Sequence, residues 1–244
     1  MGNGVGKIKK NVLVLDTGVL GHFGKELLKE TGFKKFQWYG PPEESSISHR
    51  FWERLTSERN QEPLEKLNNY DLIVLATHVR SHYLGLLINE ACLKMKMPFV
   101  FLRLAGMMIG SLHVVLPEES PCIACLEAVR LRYNSGYKKE VELEERVTLK
   151  MWKNLQPSRA AQAMLSALLS LEISRIFNDP RSALTANKEL EIYFGSLQTT
   201  LHKVDKIPRC HFCSLSAKVP PELIQNPFVE RWKFDEKKKI LVPA

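Results

Sequence analysis

The sequence predicts an α/β protein, a doubly wound and mainly parallel Rossmann-like sheet whose C-terminal part is tied back by cysteines. Three observations predict it. Apolar runs of strand length alternate with helical stretches along the first half of the chain. The first of these runs opens onto a glycine turn and then a helix. Two cysteine pairs of identical spacing, Cys122-Ile-Ala-Cys125 and Cys210-His-Phe-Cys213, stand far apart in the chain.

Each pair places two thiols on a tight turn, within reach of one ion. Together Cys122, Cys125, Cys210 and Cys213 supply four thiolates, the closed tetrahedral shell of a structural zinc site. Such a site leaves no open position for chemistry and pins two distant segments together. Two unrelated thiol pairs, or a redox-active Cys-x-x-Cys, are the alternatives, and the matched spacing favours zinc. His211 lies inside the second pair, but four sulfurs already suffice. Cys92, in an apolar helical stretch, reads as an inert core residue.

Asn11 to Asp16 is a short apolar run of the kind that forms buried parallel strands. It leads into Gly18, Gly21 and Gly24 and a helix from Lys25 to Thr31. Strand, glycine turn and helix form the context of a nucleotide-binding fingerprint. The glycines here are three apart, and Val19 stands where a second glycine would admit a pyrophosphate. Phosphate binding at the helix N-terminus and a purely structural turn are both open to these residues. A second strand, Lys35 to Tyr39, carries Gln37 and Trp38 where nucleotide-binding units usually place an acid for the ribose. Glu43 and Glu44 follow only after Pro41-Pro42. Ser45 to Asn69 reads as polar and helical, with Phe51, Trp52 and Leu55 covering one face. Strands are expected at Asp71 to Ala76, Phe99 to Leu104 and Gly110 to Leu116, with a helix from Ser81 to Met95.

In the second half, Pro121 to Arg132 reads as a helix and Tyr133 to Asn154 as an exposed crossover, charged and weakly periodic. Pro157 to Phe177 is strongly helical, with Ser158 as N-cap and Asp179-Pro180 as stop. Alanine and leucine run almost all round it, which predicts burial against the sheet or a second subunit. Leu190 to Val204 reads as paired strands turning near Gly195. The expected organisation is a tail over 1–10, one domain over 11–213 and a tail over 214–244.

Composition is that of a globular protein, with 44% hydrophobic and 25% charged residues. No apolar run approaches the roughly 18 residues of a membrane span. The N-terminus lacks the apolar core of a signal peptide, and Gly6 departs from the myristoylation pattern. A reducing cytoplasm, where thiolates stay free for zinc, is the expected location. The net charge of +8 is scattered in short clusters with no aromatic nucleic-acid motif, which speaks against nucleic acid and leaves an acidic peptide, an acidic partner surface or simple solubility equally open.

The strand-glycine-helix start, the strand Asp71 to Ala76, the stretch Ile109-Gly110-Ser111…Pro117…Pro121-Cys122-Ile-Ala-Cys125-Leu126, the Ala/Leu-rich helix and Pro208-Arg-Cys210-His-Phe-Cys213 together resemble the E1-like (ThiF/MoeB) superfamily of adenylating proteins. The resemblance covers nearly all of residues 11–213. It looks most like the branch found in biosynthesis clusters for thiazole/oxazole-modified microcins. That branch implies a protein that works beside a YcaO cyclodehydratase, helps present the precursor peptide to it, and self-associates.

Active members of the superfamily bind MgATP and adenylate a carboxyl terminus. By resemblance, a degenerate nucleotide site would comprise Gly18, Gly21, Gly24 and Arg50, the last in Ser46-Ile-Ser-His-Arg50. Thr77 and His78 stand at the magnesium position, and neither is a hard anionic oxygen ligand. Metal and arginine clamps carry most of the work of nucleotidyl transfer, so the expectation is a non-catalytic scaffold. No catalytic residue is assigned. The alternative is an active ATP-dependent adenylating enzyme using relocated ligands such as Glu43 or Glu44; a nicotinamide-dependent dehydrogenase is a distant third. His78 and His82, four apart, and His22, beside the glycine turn, read as core or solvated histidines rather than ligands. The resembled branch usually carries a winged-helix-like module that captures the leader by strand addition. With the first strand at residue 11, leader capture is expected to fall to another chain or another surface.

Overall fold

A computed structural model describes residues 10–41, 50–52, 66–106, 108–146, 157–208, 210–214, 232–235 and 240–243. The central sheet has seven strands in the order β2-β1-β3-β4-β5-β6-β7. β1 (Asn11–Asp16) is followed by α1 (Gly21–Glu30), β2 (Lys35–Tyr39), β3 (Leu72–Thr77) and α2 (Ser81–Lys94). Then come β4 (Phe99–Ala105), β5 (Ile109–Val115), α3 (Ile123–Tyr133), α4 (Tyr137–Glu145) and α5 (Arg159–Asn178). The hairpin β6 (Lys188–Tyr193) and β7 (Gln198–Lys203) completes the sheet, and β8 (Trp232–Asp235) pairs with β9 (Ile240–Pro243) in a separate antiparallel ladder.

The expectation of a mainly parallel sheet needs correction. β2, β1, β3 and β4 are parallel, whereas β4–β5, β5–β6 and β6–β7 are antiparallel. The reason is chain length. Only residues 106–108 separate β4 from β5, enough for a hairpin and far short of the dozen or so residues that a parallel crossover needs.

Alternation along the strands gives the sheet two apolar faces. Leu13, Leu15, Ile73, Leu75, Phe99 and Phe101 pack under α2 and α3 on one side. Val12, Val14, Leu72, Val74, Val100 and Leu102 pack under α1 and α5 on the other. Each such side chain, fully buried, contributes about 1.5–3 kcal/mol, so this two-sided core dominates stability. α1 lies close against α5: a Cβ added at Gly24 would stand 2.6 Å from Ser166 Oγ.

α5 starts as expected at its N-cap, where Ser158 Oγ accepts from Ala161 N at 3.2 Å. The expectation that no stretch has the length and apolarity of a membrane span is corrected here, since α5 is apolar enough by length and composition to cross a membrane. Here Leu165, Leu169, Ile173 and Ile176 face the sheet. The sheet covers only this face: on the outer side Leu171 is 57% exposed in the single chain. Alanine and serine make the outer face small rather than hidden.

The expectation of an exposed crossover after Tyr133 is also corrected. Residues 137–145 form α4, whose inner face carries Tyr137 (1% exposed) and the buried Glu144. That face is polar, so hydrophobic periodicity does not reveal it. Residues 147–154 of the expected crossover, Glu43, Glu44, Leu55 and most of the stretch Ser45 to Asn69 lie outside the described residues; Phe51 and Trp52 are described, and Trp52 is fully buried.

Candidate metal centre and nucleotide loop

The two cysteine pairs, 88 residues apart, meet at one point. Cys122 and Cys125 occupy the N-cap and first turn of α3, and Cys210 and Cys213 lie on the turn after β7. Sulfur–sulfur separations are 3.9 Å (Cys122–Cys125), 3.7 Å (Cys122–Cys210) and 3.6 Å (Cys125–Cys213), and all four sulfurs lie within 4.8 Å of one another. A tetrahedron with zinc–sulfur bonds of about 2.3 Å has edges of about 3.8 Å. The quartet therefore fits a zinc ion and is far too open for disulfides. Ile207 N donates to Cys125 Sγ at 3.4 Å, and the start of α3 offers a positive helix end to the thiolates of Cys122 and Cys125. His211 lies outside the quartet, exposed and edge-on to Phe212. Cys92 is fully buried, and burial pushes its thiol far up from the ordinary range, as expected of an inert core cysteine.

The glycine turn after β1 holds a residue that sequence reasoning missed. Asp16 ends β1 fully buried, and its carboxylate accepts four backbone N–H groups of the turn. Gly18, Val19 and Leu20 donate to Oδ1 at 2.9, 2.7 and 3.2 Å, and Gly21 donates to Oδ2 at 3.1 Å. Gly18 (φ 115°) and Gly21 (φ 60°) supply the left-handed backbone that lets the turn wrap round the carboxylate. These N–H groups are the ones a phosphate would use. The signal in the sequence is Asp16-x-Gly18-x-x-Gly21, an acid in place of the first glycine of the fingerprint. Burial drives the Asp16 carboxyl up, the four N–H groups draw it back, and it settles at about 6.

The surroundings close the loop further. Gln162 of α5 donates from Nε2 to Gly18 O at 3.2 Å. Thr17, Thr77 and His78, all buried, lock β1 to β3: His78 N donates to Thr17 Oγ1 at 3.2 Å, and His78 Nδ1 lies 3.1 Å from the same oxygen. His78 thus belongs to this junction, whereas His82, in the first turn of α2, lies 2.7 Å from Glu127 and shares no site with it. His22 is exposed in the first turn of α1. Gly24 lies against Ser166 of α5. Arg50 is exposed, and among the described residues no hydrogen bond or ion pair joins it to the loop.

A second anion position at the same end of the sheet is filled likewise. α2 begins at Ser81, where Glu144 of α4 accepts from Ser81 N at 3.1 Å and from the Ser81 hydroxyl. Arg103 of β4, 4% exposed, donates from Nη2 to Glu144 and Glu140, each at 2.7 Å, and from Nε to Ser81 Oγ at 2.8 Å. Beside it, buried Arg130 pairs with Glu127 and Glu189, and Tyr137 donates to Glu127. Burial alone would raise the Glu127 carboxyl; the hydrogen bond from His82 and the charges of His82, Arg130 and Arg103 hold it down to about 2. Sequence reasoning saw neither buried arginine: Arg103 interrupts an apolar strand only once, and Arg130 stands among other charged residues of its helix.

No protein-family model matches the sequence, and no curated protein matches it. Among solved structures the fold is similar to that of E. coli MccB, at 14% identity and TM-score 0.59, over 86% of this chain and 66% of that one. It is similar to E. coli MccB with MccA-N7isoASN, at 15% identity and TM-score 0.60, over 84% and 66%. It is also similar to the heterocyclase TruD, at 18% identity and TM-score 0.53, over 85% of this chain and 28% of that one. The chain thus spans under a third of the heterocyclase and about two thirds of MccB.

Two tests follow. Zinc content by mass spectrometry is expected at one ion per chain, and Cys213→Ser is expected to lower zinc affinity at least about tenfold and make folding chelator-sensitive. For Asp16, the raised folded value means that its share of stability is complete below the unfolded value of 3.8 and is lost as pH rises through about 6. Between about pH 4 and pH 6, wild type is expected to lose about 2 kcal/mol relative to Asp16→Asn, measured by urea unfolding.

Proposed function

We propose that this chain is a non-catalytic E1-like partner subunit of a peptide-modifying, azoline-forming system. The observation that carries the reading is the filling of both anion positions at the carboxyl end of the sheet by the protein's own carboxylates, Asp16 and Glu144. A triphosphate entering the loop would have to displace four charge-assisted hydrogen bonds, each worth roughly 1.5–3 kcal/mol. It would also stand beside a buried carboxylate, with a repulsion of about 4 kcal/mol per charge pair at 4 Å near a protein surface. His78, at the position the resemblance gives to the magnesium ligand, is engaged with Thr17.

The peptide-modifying context is supported by the structural neighbours. One is named a heterocyclase and another is a heterocyclase in complex with substrate and cofactor. MccB has been solved with MccA variants and with ATP. In this reading the partners are a YcaO-type cyclodehydratase and a precursor peptide, the location is the reducing cytoplasm, and the chain self-associates. The four cysteines hold zinc as a structural element.

The test is co-expression with the cyclodehydratase and precursor peptide of the same gene cluster. The tagged chain is expected to retain the cyclodehydratase on affinity purification and to raise the rate of azoline formation, read as water loss from the peptide. It is expected to catalyse no peptide-dependent pyrophosphate exchange. Absence of retention and of any rate effect overturns the scaffold role; pyrophosphate exchange by the chain alone replaces it with an adenylating enzyme.

A further inference from the structure

The α3–α4 hairpin separates its charges. Its acids Glu127, Glu140 and Glu144 turn inward to Arg130, Arg103 and Ser81. Its bases Arg132, Lys138, Lys139 and Arg146 are all exposed. Ordinarily such residues would compensate one another along the helix surface at three- and four-residue spacing. Here, among the described side chains, only Glu142 remains outside with them, and no ion pair among the described residues engages these four cations. Two apolar side chains stand in the same patch: Tyr133 is 75% exposed and Leu143 64% exposed. The Arg132 guanidinium lies 5.5 Å over the Tyr133 ring.

We propose that this outer face of α3 and α4 binds an acidic peptide segment that carries an apolar side chain between its acids. Lys139, Leu143 and Arg146 lie on one face of α4, and seven residues of helix separate the two cations by about 10 Å. An extended peptide covers that distance in about three residues, which places acids against Lys139 and Arg146 and an apolar side chain against Leu143. The solvent-exposed leucine and the acid Glu142 within the patch favour a peptide over a phosphate backbone. The patch flanks the end of the sheet where Glu144 and Arg103 meet, so a bound segment would lie beside the region where doubly wound sheets carry their ligands. The proposed function enters only as the source of the segment; binding is a property of the chain itself.

The test is fluorescence anisotropy of the zinc-loaded full chain with a short labelled peptide alternating Glu and Leu. Saturable binding that weakens with added salt is expected. Lys139→Glu with Arg146→Glu is expected to weaken it about tenfold or more, with an unchanged circular-dichroism spectrum. Lys34→Glu, a charge reversal on the opposite side of the sheet, is expected to leave it unchanged. Absence of binding, equal weakening by Lys34→Glu, or tighter binding of a single-stranded oligonucleotide than of the peptide overturns the proposal. The Lys139/Arg146 variant should still retain the cyclodehydratase, so failure of this surface and failure of the scaffold role give different results.

Discussion

A parallel sheet points the N-termini of its following helices at one edge, and each terminus carries unsatisfied N–H groups and a partial positive charge. Enzymes built on this plan meet that demand with a bound anion. This chain meets it from within. Asp16 reaches forward from β1 to the turn that opens α1, and Glu144 comes 63 residues down the chain to the first residue of α2. With these groups in place the edge is self-contained, and the geometry that would cradle a phosphate holds protein instead.

The second anion position depends on long-range closure. Glu144 reaches α2 because α4 is drawn down by Arg103, by the buried Tyr137 and by the Arg130 pairs behind it. Removing one member of such a buried set typically costs about 3–5 kcal/mol, since the remaining charge is left without a partner. The cysteine quartet anchors the other end of the same assembly. Cys122 and Cys125 open α3, whose third turn carries Arg130, and Cys210 and Cys213 tie that helix to the chain leaving β7. The cysteine quartet, buried arginines and helix caps thus form one continuous support on the α2–α3 side of the sheet.

Much of this was legible in the sequence where a single residue type or period carries the signal. The four cysteines declare their meeting by spacing, Ser158 marks the start of α5, and the strand runs show as apolar stretches. The antiparallel turn of β5 was legible too, in the three residues between Ala105 and Ile109, but a pattern of alternating strands and helices draws the eye to parallel crossovers. Asp16 was hidden because an acid closing an apolar run looks like any strand end. Its meaning lies in the register with Gly18 and Gly21, which only the folded turn makes plain. α4 was illegible in principle to hydrophobic periodicity: its buried face is Tyr137 and Glu144, and a polar inner face reads as solvent-exposed.

In the proposed reading the loop after β1 already holds its anion, the Asp16 carboxylate, and takes no nucleotide. Calorimetric titration of the zinc-loaded protein with MgATP tests it most directly. The structure predicts no detectable heat up to about millimolar nucleotide, where binding would be worth only about 4 kcal/mol. Saturable binding in the micromolar range would contradict it, because it would require Asp16 to give up four backbone donors that the fold holds in place.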